Sequence, residues 1–381
     1  MRVAFYAPRK PPGNYHLDDK TIIANDIVTA LKYTDNDVDI IGNFDQHKDG
    51  AIGEFKSQLL KNGKTVTENL LYSIKKRPKN IQPEAWITHN LYFNSPDFIG
   101  PTIARKLNIP YILTQASYDR KQSNGLWSNG LQTTAKAISQ SQAIISFSKE
   151  DEISLLPLIS RNTSIFRMLP FINTEPFVIS NKSRTLTRVK LSKKYNLDIK
   201  KPWIVITNMM RPGNELASYR LLGRALWLID KPNFHLLITG KGEASDLVNN
   251  ALKSLGPKVL SWLEKNEACI PEILSACDMV AWPNYNELHS MALLKAQAAG
   301  LPIVMGEFQG KPEIMEDKVT GVLVSPWDDI AFAEAIFHLC EDYNKRKNMS
   351  SAALLRIDKH HSHKVAGRIL NEILMDVVKK K

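Results

Sequence analysis

Cysteine is scarce in this 381-residue sequence, with only three residues, and there is no long apolar run, no biased tract and no internal repeat. Cys269, Cys277 and Cys340 stand apart, without CxxC spacing or a clustered histidine, so neither a disulfide framework nor a zinc site is indicated. The longest apolar stretches, WIVIT at 203–207 and AII at 143–145, end within a few residues. Crossing a bilayer takes about 20. The opening MRVAFYA reads as a strand and lacks the apolar core and cleavage site of a secretory leader, so a cytoplasmic location is expected. No RNP, KH or helix-turn-helix pattern accompanies the basic residues, and nucleic acid is not an expected partner.

What is present is the composition of a globular protein, 43% hydrophobic and 23% charged, at a length that suits two domains. The net charge is +11, and the basic residues gather between Lys182 and Lys201 and again around Lys364, Arg368 and Lys379. That distribution predicts peripheral contact with an anionic lipid surface, at the inner face of the membrane. Short β-rich runs alternate with amphipathic stretches. Strands are predicted at 2–7, 37–41, 85–88, 111–114 and 143–147, with helices over 21–31 and 101–107, and Asp18 and Asp19 at the first N-cap. From 178 to 201 the apolar pattern fades into a polar, basic stretch, read as a linker. A second series follows, with strands at 203–207, 235–239, 279–282 and 302–305, helices over 216–228, 244–255, 271–276 and 290–299, and a mostly helical tail from about 329. The fold class expected is α/β: two doubly wound domains facing each other across a cleft.

The most informative segment runs from Trp282 to Val304, a strand, a loop, a helix and a strand in quick succession. Gly300 stands where a helix end wants a left-handed residue, Pro302 prevents continuation, and the loop before the helix aims backbone N–H groups at an anion such as a diphosphate. Lys295 interrupts an otherwise apolar helix. A buried lysine needs a partner or an anion, unless its stem carries the charge to the surface. His89 ends a strand, and ligands of open α/β sheets collect at such carboxyl ends; Ser117, Arg120 and Lys121 lie in the next loop of the same kind.

The segment resembles the E-x7-E region of glycosyltransferase family 4, with Glu287 at the first glutamate and Lys295 at the second. Further runs similar to that family follow in order: AIISFSKE at 143–150, LPFIN at 169–173, QGKPEI at 309–314 and TGVLVSP at 320–326. The resemblance implies a GT-B fold, with a Rossmann-like acceptor domain at 1–178, a nucleotide-sugar domain at 179–364 and a C-terminal helix, 365–381, crossing back to the first domain.

It further implies that Glu287 orients the donor sugar, that Arg211 binds the diphosphate, and that Asn286, Leu288, His289 and Gly240 line the donor site. His89 falls where the family's H-x-H strand end touches the sugar, and it is grouped with Glu287 as catalytic. Gly13, Ser117, Arg120 and Lys121 belong to the acceptor side, Gly13 being a lone glycine where the family often has a pair. The family's diphosphate lysine falls near Asn214 or Glu215. Glu215 and Lys295 then read as an exchanged ion pair in one pocket, or Glu215 points to solvent at a helix start, where the dipole favours it.

The function implied is transfer of a hexose-like unit, with retention, from a nucleotide-diphosphate sugar to an acceptor hydroxyl on a glycan, lipid-linked or envelope polysaccharide precursor. No metal or other cofactor is called for. A second reading, carried by Glu215 and Lys295, is a catalytically silent relative serving as a binding or scaffolding protein.

Overall fold

The structure is a computed structural model that describes residues 1–8, 12, 19–41, 54–124, 127–263, 269–283, 290–307 and 314–380. The chain divides into two units, Met1–Leu169 with His363–Lys381, and Pro170–Ser362.

In the first unit, strands and helices alternate as β1 (Arg2–Tyr6), α1 (Asp19–Tyr33), β2 (Asp37–Ile41), α2 (Glu54–Lys76), β3 (Ala85–His89), α3 (Gly100–Leu107), β4 (Tyr111–Thr114), α4 (Ser128–Ser139), β5 (Ala143–Ser146), α5 (Lys149–Leu155) and β6 (Ser164–Arg167). The strands pair in parallel in the order β2-β1-β3-β4-β5-β6. Strands β3, β4 and β5 are buried along their whole length, which is why they read as continuous apolar runs rather than alternating ones. Trp86, Tyr6, Ile74, Ile103 and Leu113 belong to the core beneath them.

The second unit runs α6 (Glu175–Lys182), α7 (Arg184–Tyr195), β7 (Trp203–Ile206), α8 (Asn214–Trp227), β8 (His235–Ile238), α9 (Ser245–Leu252), β9 (Leu260–Trp262), α10 (Ile270–Ala276), β10 (Met279–Trp282), α11 (Ser290–Ala298), β11 (Ile303–Gly306), β12 (Gly321–Val324), α12 (Asp329–Glu341) and α13 (Tyr343–Arg356). Its parallel sheet has the order β12-β11-β10-β7-β8-β9. Burial pushes the thiols of Cys277 and Cys340 up to about 12, so both are inert core groups.

The break between units falls after Leu169 rather than after residue 178, and residues 178–201 are not a linker. They form α6 and α7, which pack on α10. Their basic character misled the reading because two arginines face inward. Arg184 Nη2 lies 2.7 Å from Asp278 Oδ1, and Arg188 Nη1 lies 2.9 Å from Asp278 Oδ2. Arg188 also covers the ring of Trp203 at 4.1 Å. The same carboxylate accepts the Trp203 N–H at 2.8 Å.

The last helix, α14 (His363–Lys379), belongs to the first unit and packs on α1. Gly367 allows close approach, since a Cβ there would stand 2.3 Å from the Ala30 carbonyl oxygen. His363 Nε2 meets Asp26 Oδ1 at 2.8 Å, and Asn36 Nδ2 donates to Asn371 Oδ1 at 3.1 Å. Just before α14 the chain makes a π-helical turn, Ile357–His361. There the fully buried His361 donates from Nδ1 to the Pro170 carbonyl at 2.7 Å, and burial lowers its imidazole to about 4.

Candidate functional site

Open parallel sheets bind ligands at the carboxyl ends of their strands, where the strand order turns. In the second unit that place lies between β7 and β10, since β7 pairs with both β8 and β10. The loop after β7 leads through Gly213, at φ 90°, into α8. A glycine at that φ costs no steric strain.

Arg211, in this loop, is 61% exposed at its side chain and stands 3.6 Å from the Glu215 carboxylate, itself only 13% exposed. Glu215 therefore does not point to solvent. It sits in the first turn of α8, where the dipole favours it, and its charge, after burial, helps hold the Tyr219 phenol up. Tyr219 donates to the Asn208 carbonyl at 3.2 Å and meets Trp282 edge-on, with ring centroids 4.9 Å apart. The partner shown for Glu215 is thus Arg211.

The loops after β7 and β8 are laced together through backbone. Met210 N–H donates to the Lys241 carbonyl at 3.2 Å and Ala244 N–H to the Met210 carbonyl at 2.9 Å. A Cβ on Gly240 would come 2.0 Å from the Asn208 carbonyl oxygen, and one on Gly242 would come 2.1 Å from that of Met210. Gly240 thus serves first to bring the loops together. Lys241, between the two glycines, is exposed on a loop bonded to that of Arg211. Sequence reasoning passed over Gly242 and Lys241, although a G-K-G triplet directly after a strand was a legible signal. Lys295 lies on α11, half-buried, among the buried Leu293, Leu294 and Ala296. Asn286, Glu287, Leu288 and His289 fall outside the described residues, between β10 and α11; so do residues 309–313 of the QGKPEI run.

In the first unit the order turns between β1 and β3. His89 ends β3, 1% exposed, with Nδ1 2.9 Å from Thr114 Oγ1 and its ring stacked on Phe5 at 6.0 Å. Nearby, Asp97 accepts from Thr88 Oγ1 at 2.6 Å, Tyr111 OH at 2.8 Å, Ile99 N–H at 2.9 Å and Gly100 N–H at 2.8 Å. Burial raises its carboxyl above the usual value. The two backbone bonds cap α3, so this carboxylate ties helix to sheet. Ser117 donates its N–H to the Leu91 carbonyl at 3.1 Å, while Arg120 and Lys121 stand exposed on a single 3₁₀ turn capped by Asp119. Gly13 lies outside the described residues. Neither the Asp97 network nor the aromatic run Tyr92, Phe93 and Trp127, with ring centroids 4.2 Å and 5.9 Å apart, was found from sequence.

Residues 201–342 match the family described as glycosyl transferases group 1. A D-inositol 3-phosphate glycosyltransferase of Corynebacterium diphtheriae is 39% identical over 82 residues, 22% of this chain and 19% of that protein. The chain thus spans about a fifth of the length of the curated relatives it matches. Among solved structures, a glycosyltransferase of Rickettsia africae superposes with a TM-score of 0.71 at 14% identity, covering 100% of both chains. Anabaena HepE in complex with UDP gives 0.65 at 14% identity, covering 99% of this chain and 100% of that one.

Proposed function

From the premise that this is a GT-B chain whose residues 201–342 are those of a group 1 glycosyltransferase, we propose that it transfers a sugar from a nucleotide-diphosphate donor to an acceptor hydroxyl. The observation that carries the reading is the pair of laced loops at the turn of the second sheet, with Arg211 on one and Lys241 on the other. Departure of a nucleoside diphosphate leaves negative charge on the leaving oxygens, and fixed cations beside the start of α8 stabilise it as it develops. Lys241 supplies the cation that the loop after β7 lacks at Asn214 and Glu215. Glu287 orients the sugar, with retention at its anomeric carbon, and Ser117, Arg120 and Lys121 face the acceptor, a glycan or lipid-linked precursor, while His89, 1% exposed, acts only by holding the end of β3 in place.

UDP and UDP-glucose are the donors to try first, since Anabaena HepE has been solved with UDP and with UDP-glucose. Calorimetric titration and thermal shift with UDP, GDP and their sugars test the reading. A ligand at a hundred times its Kd adds about 2.7 kcal/mol of stability, and the melting temperature rises accordingly. No shift with any nucleotide sinks it.

The silent alternative is favoured by one feature, the Arg211–Glu215 pair, which offsets a cation at the diphosphate position. It predicts nucleotide binding without turnover. Donor hydrolysis, followed by release of free sugar, separates the two.

A further inference from the structure

We propose that the outer face of α6 and α7 is a docking surface for an anionic lipid bilayer, with aliphatic side chains entering the headgroup region and lysines meeting the lipid phosphates. Helix α7 follows α6 across the single residue Ser183, and both pack on α10. Their inner face carries Phe177 and Ser180, both buried, and the arginines 184 and 188, which hold Asp278. Opposite, Val178 and Lys182 stand one turn apart on α6, and on α7 Leu186, Val189 and Lys193 recur every three or four residues, the spacing of one helical face; all are exposed. Ile179 and Lys190 flank them, also exposed. Leu186 at 76%, Ile179 at 59% and Val178 at 49% are bare enough to need an explanation when they stand on consecutive helices among exposed lysines.

The chemistry selects the partner. Aliphatic residues interleaved with lysines are what an interfacial helix presents to a charged membrane. A second copy of the same face would bring lysine against lysine. Nucleic acid would use the lysines but has no contact to offer Leu186 or Ile179. Glu175, in the first turn of α6, is the acidic residue on this face, against Lys182, Lys190 and Lys193. The arginines are excluded from the count because Asp278 holds both. The surface is independent of the sugar-transfer reading, since it needs neither donor nor acceptor.

Sedimentation of the full chain with phosphatidylcholine vesicles, with and without phosphatidylglycerol, tests this without any nucleotide. Binding to the anionic vesicles only, weakening as salt rises, is expected. Each lysine near an anionic surface is worth roughly a fivefold factor, so the triple variant K182Q/K190Q/K193Q should bind on the order of a hundredfold more weakly. The pair L186Q/V189Q, which leaves the charge intact, should weaken binding by at least about tenfold through lost apolar burial. All five positions are exposed, so an unchanged melting temperature shows that these variants fold. Equal binding to neutral vesicles, no binding at all, or anionic binding that survives the lysine variant overturns the proposal. Binding that is unchanged in L186Q/V189Q overturns the insertion of the apolar side chains.

Discussion

The two sheets turn in the same way, yet the residues at the two turns are of opposite character. At the first, His89 is 1% exposed, stacked on Phe5 and bonded to Thr114, and Asp97 close by is closed off by four hydrogen bonds. At the second, Arg211 reaches solvent, Lys241 is exposed, and the ion pair of Arg211 with Glu215 is long at 3.6 Å. The first arrangement fixes shape, because buried polar groups are costly unless each finds its partner. The second keeps charge available to a ligand. The same topology thus provides a rigid frame in one unit and an exposed, cation-bearing edge in the other.

The contrast is broken most severely at Asp97. Asp97→Ala strands the Thr88 and Tyr111 hydroxyls and two N–H groups, and should cost about 4 kcal/mol in urea denaturation. Gly100→Ala should be comparably harmful, since its Cβ would fall 2.3 Å from Asp97 Oδ2 and 2.5 Å from Trp86 Nε1. A loss below 1 kcal/mol in both would mean that the first unit is not held by this network.

The second unit has a buried, wired group that titrates, His361. Its folded value of about 4 lies below the ordinary 6.5, so an unfolded chain takes up a proton at mild acidity that the folded chain refuses. Stability that is complete above pH 6.5 should fall by about 3 kcal/mol as pH drops towards 4, and His361→Gln should flatten that slope. Unfolding midpoints measured across this range decide it.

At the open edge the effects should appear in binding rather than in folding. Arg211→Ala should weaken UDP binding by about tenfold to a hundredfold, and Lys241→Ala by a few fold, with melting temperature unchanged in both. A Lys241 variant that binds UDP as the natural chain does would remove that residue from the site.

The smallest effect is the coupling of Glu215 and Lys295. If the two share a ligand pocket, Glu215→Lys and Lys295→Glu in a double-mutant cycle should show an interaction of about 1 kcal/mol in nucleotide binding. Additivity would leave Glu215 paired with Arg211 at 3.6 Å and uncoupled from Lys295.

Strands such as Tyr111–Thr114 and Met279–Trp282 were legible to the residue because a buried parallel strand leaves an apolar run with sharp ends. Helices α6 and α7 were not. Their inward arginines resemble solvated ones until Asp278, 94 residues from Arg184 in sequence, is brought beside them. Asp97 was invisible for the same reason: its partners Thr88 and Tyr111 come from two different strands. At the candidate site, sequence placed Arg211 between β7 and α8, where it lies, but not the direction of Glu215, which depends on the 13% exposure that only packing creates.

The packing of α14 on α1 also sets an order of events during synthesis. The first unit is built from residues 1–169 and 363–381, so its closing helix leaves the ribosome only after all of the second unit has been made. At elongation rates of about 5–20 residues per second, that interval lasts roughly 10 to 40 s. Throughout it, the groove of α1 beside Ala30 and the carboxylate of Asp26 wait without Gly367 and His363. A nascent chain paused after residue 362 should therefore carry a protease-sensitive first unit beside a second unit whose sequence is already complete.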